Sequence, residues 1–290
     1  MASSKPAETT LIFPPVSVGK IQFSTVNKDM VTDRIFGIAE AKGKVLVPAG
    51  AAIVLTLNYE GSQRDDVLNS IPKPILRRLN MSDLEVSDKL VSSVSNFKSL
   101  VSLDLEGVDL TDNAAKPLAS LTGLQNLNVG NTLLTSKGLS FLAGMTNLKM
   151  LKLSRNCKLG DDIGPILGKF KSLQILDICG TNVHNKTLEY LASMTSLKQL
   201  NVRRNSITDL GIEHILKLKN LTHLDVTDTL ITSRGLMRLQ ALPKLKSLTF
   251  RQIGLSSSEI NALHKALPKV NLESGSREKD VPASLFAPLH

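Results

Sequence analysis

Tryptophan is absent from the 290 residues, and tyrosine occurs only at Tyr59 and Tyr190. Tight protein interfaces concentrate Trp, Tyr and Arg, so a strong contact here must rest on arginine and shape, and a weak, polar or polyvalent one is expected. The same scarcity removes the aromatic platforms on which single-stranded nucleic acid stacks. A Gly-rich phosphate loop, a nucleophile elbow and a metal-binding helix motif are all missing, which argues against an enzyme and against a bound cofactor or metal. No apolar run is long enough to cross a bilayer. With 42% hydrophobic residues and a mean hydropathy of +0.04, the chain suits a folded protein with an extended core.

What is present is a repeat. LTGLQNLNVGNTLLTSKGLSFLAGM is followed by MTNLKMLKLSRNCKLGDDIGPILGKF, FKSLQILDICGTNVHNKTLEYLASM, MTSLKQLNVRRNSITDLGIEHILKL and LKNLTHLDVTDTLITSRGLMRLQAL. Apolar triplets mark the register at Leu100/Leu103/Leu105, Leu124/Leu127/Val129, Leu148/Leu151/Leu153, Leu173/Leu176/Ile178, Leu197/Leu200/Val202, Leu221/Leu224/Val226 and Leu245/Leu248/Phe250. Successive units lie 24 residues apart, except the one starting at Leu148, which takes 25 and carries an extra residue near Cys157. One step earlier stands the divergent Leu76/Leu79/Met81, and before it the weaker Ala52/Leu55/Leu57, read as a capping unit.

In L-x-L the two leucines lie on one side of an extended chain and point into a core. The rest of each unit, as in Ile207, Gly211, Ile212, Ile215 and Leu218, spaces apolar residues three and four apart, the mark of a helix with one buried face. Thr followed by an acid, at Thr111/Asp112 and Thr208/Asp209, predicts side-chain caps for the amides of the first helical turn. A 24-residue L-x-x-L-x-L period is the signature of leucine-rich repeats. The expected fold is therefore α/β: a right-handed leucine-rich-repeat solenoid, horseshoe or arc, with a parallel concave β-sheet, outer helices and a small β-rich N-terminal cap. The units at 135–148 and 232–245 resemble ribonuclease-inhibitor-like repeats, especially the bacterial type with Thr-Asp-x-Gly-Leu units, over roughly residues 76–272. That resemblance implies protein recognition on the concave surface and carries over no active site.

The expected organisation is a flexible segment at 1–10, a β-rich cap at 11–60, the repeat domain at 61–272 and a loose polar tail at 273–290. Short strands are expected in VSVGKIQFS, RIFGIAE, GKVLVP and AAIVLTLNY, separated by NKD, AKG and PAG turns. EINALHKALPKVNL should supply a last helix and short strand. The polar start MASSKPAETTLIFPP is not a secretory signal. A cytoplasmic location is expected if the chain is native as given, and a surface-anchored structural lipoprotein of the cell envelope if a leader has been removed. Cys157 and Cys179 fall too far apart in the repeat frame for a comfortable disulfide and are read as free thiols.

Function is sought at the third, fifth, seventh and eighth residues of L-x-x-L-x-L-x-x, which are expected to face outward from the sheet. The candidate partner-binding residues are Lys152, Arg155, Asp177, Arg203, Arg204, His223, Asp225, Asp228 and Arg251, with Asp83, Asp104 and Glu106 toward the other end. Arginine forks bind carboxylates directionally, so this gradient suits a protein partner of opposite pattern; the plainer alternative is that neighbouring Arg and Asp pair with one another. Met150 and Ile175 are expected as exposed apolar neighbours on adjacent strands. The net charge of +9 raises a rival, a basic surface binding a polyanion: nucleic acid, an anionic membrane or a polysaccharide. Dispersed lysines such as Lys116, Lys169 and Lys217 fit solubility better, and nucleic acid is disfavoured. Among His184, His214, His223, His264 and His290, only His223, with Asp225 two residues on, hints at a reactive pair.

Overall fold

A computed structural model describes residues 8–25 and 34–275. Expectations placed on residues 1–7, the NKD turn, the tail beyond 275 and His290 lie outside the described residues. Strands β1 (Thr9–Ile12) and β4 (Lys44–Val47) form a two-stranded antiparallel ribbon. The remaining strands build one twelve-stranded sheet. In chain order these are β2 (Gly19–Ser24), β3 (Ile35–Glu40), β5 (Ala52–Leu57), β6 (Leu76–Asn80), β7 (Ser102–Asp104), β8 (Asn126–Asn128), β9 (Met150–Lys152), β10 (Ile175–Asp177), β11 (Gln199–Asn201), β12 (His223–Asp225), β13 (Ser247–Thr249) and β14 (Asn271–Glu273).

From β5 to β14 the strands follow one another in parallel, one per repeat, in the predicted register: Ile175 lies opposite both Met150 and Gln199. β5 is the junction. It pairs in parallel with β6 on one side and antiparallel with β2 on the other, so the weak Ala52/Leu55/Leu57 unit pairs as a rung and the sheet continues from it into the antiparallel N-terminal strands. β1 begins at Thr9, and Leu11 on it is fully buried in the core. The last helix and strand come where the sequence places them, at Ser257–Ala266 and β14.

The leucines explain the stacking. Leu124, Leu127, Val129, Leu139, Leu142 and Leu148 are all fully buried, and the same positions repeat through one continuous core from Leu11 to Leu267. Helices Asp112–Leu118, Ser136–Leu142, Asn185–Leu191 and Asp209–Ile215 back the sheet. A helix needs about 10 Å of width and a strand under about 5 Å, so the array bends with its sheet on the inner, concave side. No described helix is long and apolar enough to cross a membrane.

The Thr-Asp pairs divide their labour differently from the prediction. Thr208 does cap its own helix, accepting from the Leu210 N–H. Asp209 instead reaches into the next repeat, where Oδ1 accepts from the Thr232 N–H (2.8 Å) and Oδ2 from its hydroxyl (2.6 Å). Asp112 holds Thr135 in the same way, at 2.9 and 2.6 Å. Asn185 grips Thr208, and Asp161 takes the His184 N–H and the Thr187 hydroxyl. With Thr already on the first-turn amides, the acid is left to bridge one repeat to the next. A glycine in the repeat that receives the bridge makes room for it: in the Thr135–Gly138 and Thr232–Gly235 segments a Cβ on Gly138 would overlap Asp112 Oδ1, and one on Gly235 would overlap Asp209 Oδ1.

Between strand and helix a second device recurs that the sequence reading did not single out. Asn205, almost fully buried, donates from Nδ2 to the carbonyls of Ile178 and Val202 and accepts at Oδ1 from the N–H groups of Thr181 and Val183. Asn156 does the same work for Val129, Leu153 and Thr132. Loop amides that would otherwise be buried unpaired are thereby satisfied.

Replacing Gly235 by Ala should displace the Asp209 carboxylate from Thr232 and destabilise the fold by about 1–3 kcal/mol. In an Asp209→Ala background the same change should be neutral or stabilising, because the carboxylate overlap is gone, the remaining 3.1 Å approach to Ile231 Cγ2 is relieved by a small side-chain shift, and alanine favours a helix over glycine by about 1 kcal/mol. Urea denaturation of the four members of this double-mutant cycle reads the sign reversal.

Candidate functional site

The fifth residue of each repeat ends its strand, and in six repeats it is Asn or Asp. Asn80, Asp104, Asn128, Asp177, Asn201 and Asp225 each accept at Oδ1 from the backbone N–H two residues on, at 2.8–3.1 Å. This turn needs an oxygen acceptor and not a negative charge, which is why Asn and Asp interchange there. Within the repeats from β6 to β13, Lys152 and Thr249 are the departures from the pattern.

The eighth residue does not stand on the sheet as predicted. Asp83, Asn131, Arg155, Arg204, Asp228 and Gln252 all take φ values from +50° to +62°, and Gly107 and Gly180 take +72° and +61°. Strands of three residues end at position five, so the chain is already reversing by position eight, and the left-handed conformation makes the turn. Arg155, Arg204 and Asp228 therefore project from the rim of the concave face, where all three are exposed.

On the face itself, burial is greater than alternation alone predicts. Parallel neighbours stand about 4.8 Å apart, so side chains of adjacent repeats cover one another. Asp177, Asn201, Asp225 and Thr249 are all buried. Met150 and Ile175, expected to be exposed, are 7% and 3% exposed because they sit opposite one another and close into a small apolar cluster. Lys152 is half-buried beside Asp177. Burial pushes the Asp177 carboxyl up to about 6, against the pull of the Cys179 N–H and of Lys152. Asp225 is raised by the same cause while Thr227, Arg203 and Arg251 oppose it. Arg251 Nη2 also lies 3.4 Å from Glu273 Oε2, so Arg203, Asp225, Arg251 and Glu273 alternate in sign along the last repeats.

His223 does not form a dyad with Asp225. Its Nδ1 lies 2.8 Å from Thr222 Oγ1, and that hydroxyl also stands 2.9 Å from the Lys198 carbonyl. Burial, with Lys246 second, lowers its pKa, keeping the ring neutral near pH 7. Cys157 and Cys179 are free; burial raises the Cys179 thiol to about 11, which suppresses thiolate chemistry there.

The accessible part of the region is its rim. Arg204 Nε lies 3.8 Å from Asp228 Oδ2 in an exposed pair, and Leu230 beside them is 62% exposed. Leu230 separates two shallow depressions of ≈ 330 and ≈ 420 Å³, one lined by Asn182, Arg204, Ser206 and Asp228 and the other by Gln252, Leu255 and Glu259. Leu230 fell outside the four columns read from the sequence; as the tenth residue of its repeat it belongs to the loop, where apolar identity alone gave no signal.

The raised Asp177 value has a consequence for stability. Its unfolded carboxyl titrates near pH 4 and its folded one near 6, so the folded state loses stability as pH rises through that window, by about 3 kcal/mol in all. Asp177→Asn keeps the acceptor for the Cys179 N–H, as Asn128 and Asn201 do in their own repeats. The variant should unfold at a higher temperature than the native chain above pH 6 and at the same temperature below about pH 4; thermal melts across that range test it.

Known proteins agree with this architecture. A sequence-family profile described as Leucine Rich repeat matches residues 193–216 and 217–239. No curated protein matches the chain by sequence. Among solved structures, internalin C2 from Listeria monocytogenes superposes with a TM-score of 0.50 at 24% identity, over 69% of this chain and 76% of that one. The internalin InlF from the same species gives 0.51 at 22% identity, over 77% and 67%. Register, strand array and these likenesses together give the chain a leucine-rich-repeat fold.

Proposed function

We propose that the chain is a non-enzymatic scaffold that recognises a protein partner through the concave face of its C-terminal repeats and the rim beside it. The observation that carries this reading is the pair of arginines at left-handed turn positions. Gly107 and Gly180 make the same turn without strain, yet Arg155 and Arg204 occupy it at φ +62° and +55°. A side chain there costs about 1–2 kcal/mol relative to glycine, and unlike the Asp83, Asn131 and Asp228 found at the same position, arginine has no short polar group to hydrogen-bond the local backbone. Both residues are exposed, on a backbone tied to the next repeat: Arg155 N–H donates to the Cys179 carbonyl and Arg204 N–H to that of Thr227. Rigid donors of this kind favour a carboxylate-bearing partner, with Asp228 and exposed Leu230 adding a counter-charge and an apolar anchor. Lys152, Asp177, His223, Asp225 and Arg251 act beneath this layer by setting the field and shape of the face.

Arg155→Gly/Arg204→Gly separates recognition from folding. The variant should be as stable as the native chain or more so, while a partner captured from lysate at moderate salt should be lost, with affinity for the purified partner falling about tenfold or more. Undiminished capture by the folded variant would overturn the reading.

A further inference from the structure

The two edges of the twelve-stranded sheet are unlike. β14 closes the C-terminal edge with three residues, Asn-Leu-Glu, behind a ten-residue helix that carries a capping box. β3 closes the other with six residues, IFGIAE, and among the described residues no strand pairs with its outer side. Ile35, Phe36 and Ile38 on it are 46%, 52% and 67% exposed. Edge strands usually carry lysine, proline or an inward charge to block further pairing; β3 has none of these.

The direction of its outward groups follows from the ladder. Ala41 N–H donates to the Gly19 carbonyl, and in antiparallel pairing alternate residues face the same partner, so Ala39 and Gly37 face β2 while Ile38 turns its amide and carbonyl outward and Glu40 its amide, the Glu40 carbonyl accepting from the Lys42 N–H (2.9 Å). The strand is also self-complementary. Laid antiparallel against a second copy about Gly37, the segment Arg34-Ile-Phe-Gly-Ile-Ala-Glu40 sets Phe36 against Ile38 twice and Arg34 against Glu40 twice. Both end charges are exposed. The bulge that sets Phe36 out of register with β2 twists this edge, so the new ladder is short and is centred on Gly37, with the end charges fixing its register.

From this edge we infer that the protein forms a two-fold dimer by antiparallel pairing of β3 with β3 of a second copy. The sheet then runs unbroken through both chains. An antiparallel pair related by a two-fold axis normal to the sheet keeps the faces of both halves on one side, so the two concave surfaces open in the same direction and present paired sites to a polyvalent partner.

Sedimentation velocity of the full chain over a concentration series is the test. The native chain should dimerise. Arg34→Glu alone and Glu40→Arg alone each place like charges opposite one another at both ends and should weaken self-association about tenfold or more. Mixing these two variants should restore a one-to-one heterodimer, since each then meets its opposite, and the Arg34→Glu/Glu40→Arg double variant should dimerise again by itself. Ile38→Lys, at an exposed site where folding is unaffected, should give a monomer whatever the end charges. A native chain that stays monomeric throughout, or a dimer indifferent to both reversals, or one blocked by neither Ile38→Lys nor charge, overturns the inference. Circular dichroism of each variant confirms that the comparison is between folded chains.

Discussion

A single repeat of this chain cannot bury its own leucines. Each unit has one strand and one short helix, and the apolar residues between them are covered only when the units before and after are in place. Everything else follows from that dependence on neighbours. Parallel strand pairing sets the spacing, the Asp112–Thr135 and Asp209–Thr232 bridges lock one helix start to the next, and Asn156 and Asn205 satisfy the loop amides that stacking would otherwise bury unpaired. The helices are mostly seven residues or shorter, too short to persist alone, so they are products of the stack and not its cause.

The same closeness decides the electrostatics of the concave face. Carboxylates at position five are held by backbone amides and covered by the next repeat, so Asp177 and Asp225 sit where charge is poorly solvated and their pKa values rise. Arg203 and Arg251 partly offset this for Asp225. The exposed charge lies further out, at the turn of position eight, where Arg155, Arg204 and Asp228 project from the rim. Division of labour between a buried layer that shapes the face and an exposed layer that contacts a partner is the organising feature of the proposed site.

The two ends of the array pose a different problem, because each end of a stacked sheet exposes an unpaired strand. At the C-terminal end a longer helix and a minimal strand finish the array. At the N-terminal end the chain turns from parallel to antiparallel pairing at β5 and ends on an apolar strand, so the problem is moved outward by two strands.

Much of the fold was legible in the sequence because leucine spacing reports directly on packing: a side chain at L-x-x-L-x-L has nowhere to go but inward, and the register from Leu76 to Phe250 required no structure. The parallel ladder, the placement of β5 and the final helix and strand were legible for the same reason. Tertiary contact alone decided the rest. Whether Met150 and Ile175 meet solvent depends on which residues lie opposite across the sheet, whether Asp209 serves its own helix or the next depends on the distance between repeats, and whether Arg155 lies on the face or the rim depends on where a three-residue strand begins to turn. Those are distances between segments 24 residues apart in the chain, and residue pattern carries no measure of them.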